Sequence, residues 1–169
     1  SETVGWTTLW RGKFLDAEST WDDRFTPLAK PLGTDIIQLP AGPTVGQLQE
    51  GKPWPQGGLQ FRGYRLDKDG TPVLLYRHGK TDITDRLTPK GDGLQRRMEF
   101  SAGEGKLWVR LAVANEFLTT ERGVWIGDNN LTLIAPTSRV RTLGGNAELL
   151  APVELKAPGK TMLEVQLSW

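Results

Sequence analysis

Tryptophan is the residue type through which this sequence could most directly recognise a ligand. The chain has 7 tryptophans but only 2 tyrosines. An indole ring offers a large, rigid apolar face on which a sugar ring can lie while polar side chains bind its hydroxyls. The same ring can fill a core or brace an irregular loop, with its N–H bonded to a carbonyl. Both roles have to be weighed for each tryptophan.

Trp108 is the tryptophan with the strongest case for an exposed ring. It alternates with Leu107, Val109 and Leu111, whose side chains should occupy the opposite face of the strand. It could still belong to the core if both faces of that strand are covered. Four others, Trp6, Trp10, Trp21 and Trp54, lie in the proline-rich N-terminal third, where we expect them to brace loops.

An oxygen-rich turn at 128–130 follows Trp125 closely and could hold sugar hydroxyls or calcium. Turn formation also explains these residues, and we favour that explanation. Taken together, the candidate ligand-binding residues are Trp108, Trp125, Trp54, Trp21, Tyr64, Tyr76, Asp128 and Asn129.

A pair of carboxylates is the alternative chemistry, because glycosidases use two acidic side chains roughly 5 to 9.5 Å apart. Asp82 and Asp85 are separated by an odd number of residues on one strand, so they should point to opposite faces. Turn formation explains Asp67 and Asp69. The remaining candidates near aromatic residues are Asp22, Asp23 and Asp128. We therefore name no catalytic residue and keep a carbohydrate-active enzyme as the alternative function.

Composition excludes several other kinds of site. The absence of cysteine removes thiol catalysis, disulfides, thiolate metal sites and covalent haem attachment, and the single histidine, His78, excludes His-rich metal sites. We expect no metal and no cofactor.

Because 21 basic and 20 acidic residues are interspersed, we expect no nucleic-acid partner. Apolar runs are far shorter than the roughly 20 residues that span a bilayer, so we expect no membrane insertion.

Short β-strands must position the candidate residues. Two apolar runs, 59–66 and 71–78, flank an Asp- and Gly-containing turn, which predicts a β-hairpin. In residues 94–100, 107–113 and 162–169, polarity alternates with period two, as it does in strands that pack one face against a core. Alternation divides Arg96 and Arg97 between the two faces of their strand, and we expect solvated strand edges around both.

The N-terminal third differs from the rest because prolines impose irregular connections on it. No window of eleven or more residues has the apolar stripe of a helix. We predict an all-β fold, an antiparallel β-sandwich of about 10–13 short strands with a loop-rich N-terminal third. Residues 1–169 should form a single domain, which we expect to be excised from a larger multidomain protein.

A set of short blocks resembles a β-domain of large modular exported proteins from planctomycete-type and related bacteria. The resemblance covers nearly the whole chain and rests on Trp6 to Asp16, Trp21, Pro27 to Gly33, Leu39 to Pro43, Trp54-Pro55, Phe61 to Asp67, Gly70 to Pro72, Leu75-Tyr76, Asp85 to Leu87 and Leu163 to Trp169. In those proteins the domain sits beside c-type cytochrome domains and quinoprotein-like or sugar-dehydrogenase-like propellers. The resemblance implies a periplasmic or extracellular location, and it assigns no catalytic residue.

The function that we expect is that of a non-catalytic accessory module. Its aromatic residues would bind carbohydrate or dock the neighbouring cytochrome or propeller domains of the same polypeptide. A groove containing polar groups would indicate a sugar, whereas a flat apolar patch would indicate a protein partner.

Overall fold

The computed structural model describes residues 5–16 and 29–169, and these form an almost entirely β structure. The one exception to strand and loop is a short 3-10 turn at Asp128–Asn130. The sixteen strands are β1 (Thr8–Arg11), β2 (Leu15–Asp16), β3 (Lys30–Pro31), β4 (Thr34–Gln38), β5 (Val45–Gly46), β6 (Leu59–Leu66), β7 (Pro72–His78), β8 (Thr81–Lys90), β9 (Gly93–Phe100), β10 (Lys106–Ala114), β11 (Leu118–Glu121), β12 (Val124–Ile126), β13 (Thr132–Ile134), β14 (Arg139–Leu143), β15 (Asn146–Glu154) and β16 (Thr161–Ser168). The predicted all-β class is confirmed. The strand count exceeds the expected range because β2, β3 and β5 have only two residues each.

The strands form two main sheets and two small ribbons. The larger sheet has eight strands in the order β11-β12-β13-β16-β9-β8-β7-β6, and the smaller has four in the order β14-β15-β10-β5. The ribbons pair β1 with β4 and β2 with β3. Every pairing is antiparallel, as the sequence predicted.

The predicted hairpin over 59–78 is present as β6 and β7. Its turn is closed by two backbone hydrogen bonds, from the Asp67 N–H to the Thr71 carbonyl (2.9 Å) and from the Gly70 N–H to the Asp67 carbonyl (3.0 Å). Gly70 has a φ of +80°, a left-handed conformation that glycine adopts without strain.

One hydrophobic core lies between the two sheets. Alternating residues of β9, β10, β15 and β16 supply most of it, and the β1–β4 ribbon adds Leu9 and Ile37. Trp108, as predicted, stands on the opposite face of β10 from Leu107 and Val109, which belong to the core. Period-two alternation thus places Leu107 and Val109 correctly, but it fails at the end of β10, where a bulge between Arg110 and Ala112 exposes Val113 and buries Ala112.

The two sheets differ in width, which leaves the ends of the larger one without a full cover. Strands lie about 4.8 Å apart, so eight strands span roughly twice the width of four. The outermost strands of the larger sheet are β11 at one end and β6 at the other. All four residues of β11 are exposed, and seven of the eight residues of β6 are exposed or half-buried.

The outer face of the smaller sheet is covered by the loop that follows β5. Trp54 packs there with only 3% of its surface exposed and donates its indole N–H to the Pro43 carbonyl (2.7 Å). Trp10 likewise donates to the Lys13 carbonyl (2.9 Å). The expectation that N-terminal tryptophans brace loops is confirmed for these two, while Trp21 lies outside the described residues.

The expectation that Arg96 is solvated is wrong. Arg96 shares its face of β9 with Met98 and Phe100, so it points into the core, where 5% of its surface is exposed. The carboxylate of Asp85 neutralises it there through two hydrogen bonds of 3.0 and 2.7 Å. Within the part of the chain that the structure describes, no helix is both long and apolar enough to cross a bilayer.

Candidate functional site

The ring of Trp108 is half-buried and already has cationic partners. The ammonium of Lys106 lies 4.8 Å from its centroid, and the guanidinium of Arg139 lies 4.6 Å away. Lys106 also pairs with Glu154 (2.8 Å), and Arg139 pairs with Glu50. Cation–π contacts of this kind compete with any ligand for the ring. Trp108, the tryptophan favoured by alternation, is therefore a poor platform for a sugar.

Trp54 and Tyr76 cannot present a ring face to a ligand, because both are buried. The guanidinium of Arg110 lies 5.2 Å from the centroid of the Trp54 ring. Tyr76 is 2% exposed and packs in the core. Burial, reinforced by the nearby negative charge of Asp85, raises the pKa of the Tyr76 hydroxyl well above its ordinary value, so this phenol stays protonated.

Tyr64 is exposed on β6. It has 65% of its surface accessible, and Phe61 on the same strand has 51%. The Phe61 ring lies 5.8 Å from that of buried Tyr76, which anchors it to the sheet. These two aromatic side chains lie on the exposed surface of β6.

Trp125 lies in an open hollow of about 530 Å³ at the opposite end of the larger sheet. The residues that line this hollow, which we call the Trp125 hollow, come from the β11–β12 hairpin and from the loop before β14. They are Thr119, Thr120, Glu121, Arg122, Gly123, Trp125, Pro136, Thr137 and Ser138. The indole packs against the core on one side, so its position is held by the sandwich itself.

Local backbone geometry holds the two walls of the Trp125 hollow together. Gly123 accepts a hydrogen bond from the Ala135 N–H (2.7 Å), and a Cβ at Gly123 would lie 2.5 Å from the Cα of Pro136. Gly123 also has a φ of +84°. Glycine is required there because any side chain would push the hairpin away from Pro136.

Hydroxyl groups dominate the polar lining of the Trp125 hollow. Thr119 donates to the Glu121 carbonyl (2.8 Å), and Ser138 donates to the Ala135 carbonyl. Among the described residues, Thr120 and Thr137 have no such side-chain partner, so their hydroxyls are free to bind a ligand. The indole N–H of Trp125 is buried and also has no hydrogen-bond partner.

Asp128 and Asn129 do not join Trp125 in this hollow. They line a separate depression of about 220 Å³ beside Phe117. One oxygen of Asp128 accepts hydrogen bonds from the backbone N–H and the side-chain amide of Asn115, both at 3.0 Å. Asn129 has a φ of 55°, which asparagine tolerates in turns. The turn explanation accounts for both residues.

A larger cleft, about 610 Å³, lies elsewhere, at one end of the sandwich. It is built by the β7–β8 turn, the loop between β9 and β10, and the residues after β15, and its polar lining includes His78, Lys80 and Glu104. Burial lowers the pKa of His78, which favours the neutral imidazole. Sequence reasoning missed this cleft because its walls come from segments far apart in the chain.

Four of the carboxylates considered for acid–base chemistry are engaged in ion pairs, whereas Asp128 accepts hydrogen bonds from Asn115. Asp67 and Asp69 both pair with Arg86 (3.0 and 2.9 Å), and Asp82 pairs with Arg77 (2.7 Å). As alternation predicted, Asp82 and Asp85 point to opposite faces, the first exposed and the second buried.

Asp22 and Asp23 lie outside the described residues. Within the residues that the structure describes, no group of three or more His, Asp or Glu side chains could hold a metal ion.

Comparison with known proteins identifies no relative. The chain matches no protein-family model, no curated protein and no solved structure.

Proposed function

We propose that this protein is a non-catalytic accessory module that binds carbohydrate in the Trp125 hollow. The observation that carries the proposal is the combination of a positioned indole with unengaged hydroxyls in one open depression. An aromatic ring supplies apolar contact to the C–H face of a sugar, while hydroxyls and charged groups bind the sugar oxygens.

The dimensions and polarity of the hollow support this ligand class. A volume of about 530 Å³ falls within the usual range for small-molecule sites and fits one or two sugar rings. Arg122 and Glu121 add a cation and an anion at the rim, and neither has an ion pair among the described residues. A site with both charges and several hydroxyls can donate and accept, as recognition of a polyol requires.

The setting of the module is part of the proposal. The resemblance to β-domains of exported modular proteins supports a periplasmic or extracellular location beside cytochrome or propeller domains. In such a protein a carbohydrate-binding module would hold the polypeptide near its polysaccharide. Because Asp67, Asp69, Asp82 and Asp85 are ion-paired and Asp128 is engaged by Asn115, a carbohydrate-active enzyme is the less supported alternative.

The proposal is tested by titration with soluble glycans of plant, algal and bacterial origin, followed by calorimetry and tryptophan fluorescence. At least one glycan should bind saturably. Trp125→Ala should weaken that binding at least tenfold, or about 1.4 kcal/mol, because the apolar platform is lost. Thr137→Val, which removes one hydroxyl at nearly constant shape, should weaken binding less strongly.

Tyr64→Ala is the matched control, because it removes an exposed aromatic ring from the far end of the same sheet. It should leave glycan binding unchanged. Trp125→Phe preserves packing against the core and reports on the ring in case the alanine variant is unstable. The proposal is contradicted if no glycan binds. It is also contradicted if wild type and a folded Trp125→Ala variant bind equally well.

A further inference from the structure

The edge strand β6 carries an exposed apolar row that the proposed sugar site does not use. Phe61, Tyr64 and Leu66 have 51%, 65% and 62% of their surfaces accessible. Exposed clusters of large apolar side chains on a soluble domain mark interaction surfaces. We call this row, together with the free backbone edge of the strand, the β6 edge.

A β-bulge puts the three apolar side chains on one face. Phe61 is opposite Tyr76, but Gly63 is opposite Leu75, so Arg62 is the extra residue between them. Gly63 has a φ of +115°. Tyr64 is then opposite Leu74, and it shares the core-side face with Phe61 although three positions separate the two in sequence.

No strand of residues 5–16 or 29–169 pairs with the outer side of β6. The strand is last in the order of the eight-stranded sheet and pairs only with β7 among the described residues. Its outward N–H and C=O groups can therefore accept a further strand.

Charge distinguishes β6 from the other strands. From β7 to β16 the strand arginines all pair with carboxylates, namely Arg77, Arg86, Arg96, Arg97, Arg110, Arg139 and Arg141. Arg62 and Arg65 have no carboxylate of the described residues within ion-pair distance, although the charge of Arg62 helps that of Arg77 to lower the pKa of Asp82. Arg65 is opposite Val73, on the face away from Tyr64, where it lines a shallow groove beside Arg86.

We propose that the β6 edge binds an extended polypeptide segment in which apolar and acidic side chains alternate. Such a segment adds to β6 as a ninth strand through backbone hydrogen bonds. Because successive side chains of a strand point to opposite faces, one set packs against Phe61, Tyr64 and Leu66. The other set places carboxylates beside Arg65 and the bulge arginine, Arg62.

The same charges disfavour a second copy of this chain as the occupant. Edge-to-edge pairing of two β6 strands brings together four arginines from strands that contain no acidic residue, and like charges across paired strands are destabilising. The bulge further discourages a regular ladder between identical edges. An acidic segment removes the repulsion that a second copy would introduce.

The test uses blocked synthetic peptides as long as β6, in which Val alternates with either Glu or Lys, and measures affinity for the whole chain by calorimetry. The Glu peptide should bind, and the Lys peptide should bind at least about tenfold more weakly. Arg65→Gln should weaken binding of the Glu peptide about fivefold, and Tyr64→Ala should weaken it comparably. Trp125→Ala should leave it unchanged, which separates this site from the Trp125 hollow.

Backbone pairing is tested with two N-methylated versions of the Glu peptide, one methylated at every Val and one at every Glu. The N–H groups of alternate residues point to opposite edges of a strand, so one version should lose binding and the other should retain it. Equal affinities of the two versions overturn strand addition. Equal binding of the Glu and Lys peptides, or equally strong competition by an acidic polysaccharide such as alginate, also overturns the proposal.

Discussion

Asp85 on β8 and Arg96 on β9 form a bidentate ion pair inside the hydrophobic core. The two residues are diagonal neighbours, since Asp85 is opposite Met98 and Arg96 is opposite Leu87. Arg96 also donates to the hydroxyl of Thr44 (3.0 Å), which ties the pair to the segment before β5. Burial disfavours the Arg96 cation, but the charge and hydrogen bonds of Asp85 outweigh it and raise the pKa of the guanidinium.

Breaking this pair from one side should destabilise the fold strongly. Asp85→Asn keeps the shape of the side chain but leaves a buried cation without its anion. We expect a loss of about 3–5 kcal/mol in the free energy of unfolding, measured by urea denaturation. The double variant Asp85→Leu with Arg96→Met removes both charges and should be more stable than Asp85→Asn. A loss below about 1 kcal/mol in Asp85→Asn contradicts this role of the pair.

Glu148 on β15 should be far more important to stability than Glu154 on the same strand. Glu148 is buried and accepts hydrogen bonds from both Arg110 (3.2 Å) and Arg141 (2.7 Å). Glu148→Gln leaves two largely buried guanidiniums without an anion, so we expect a loss of about 3 kcal/mol or more. Glu154→Gln breaks only the exposed pair with Lys106 and should cost less than about 1 kcal/mol. Equal urea midpoints for the two variants would falsify this ranking.

His78 should make stability depend on pH in the weakly acidic range. Burial lowers its pKa below the ordinary 6.5, so the unfolded chain binds a proton more readily than the folded chain. Its contribution to stability therefore falls as pH drops through 6.5 towards the folded pKa, and is constant above that window.

The comparison of wild type with His78→Gln isolates this effect, because the carboxylates titrate alike in both proteins. Unfolding free energies measured from about pH 5 to about pH 8 should converge or cross as the pH falls, with wild type losing more. Parallel curves over this range would show that His78 does not titrate differently in the folded and unfolded chains.

Local patterns predicted most of the fold. Alternation identified the core faces of β9 and β16 and of β10 as far as its bulge, and the turn at 67–70 predicted the hairpin. Alternation also separated Asp82 from Asp85 correctly, because the pairing of β7 with β8 is regular at those residues. These patterns hold wherever a strand has no bulge, because alternation there depends only on neighbouring residues.

The candidate site was harder to predict, because the accessibility of an aromatic ring depends on residues that are distant in sequence. Trp108 had the most favourable alternation, yet Arg139 from another strand lies over its ring. The same rule that separated Asp82 from Asp85 would separate Phe61 from Tyr64, but the bulge at Gly63 brings them to one face. Gly63 was visible in the sequence, whereas the pairing that makes it a bulge was not.

The sequence by itself determined the all-β class, the core-facing side of the regular strands β9 and β16, and the absence of cysteine chemistry, because these follow from composition and from period-two alternation. Only the tertiary structure decided which aromatic rings are accessible. It buried Trp54 and Tyr76, placed cations over Trp108, and left Trp125 in a hollow and Tyr64 on an open edge. The physical reason is that exposure depends on which strands and loops pack together, and two sheets of unequal width leave only certain positions uncovered.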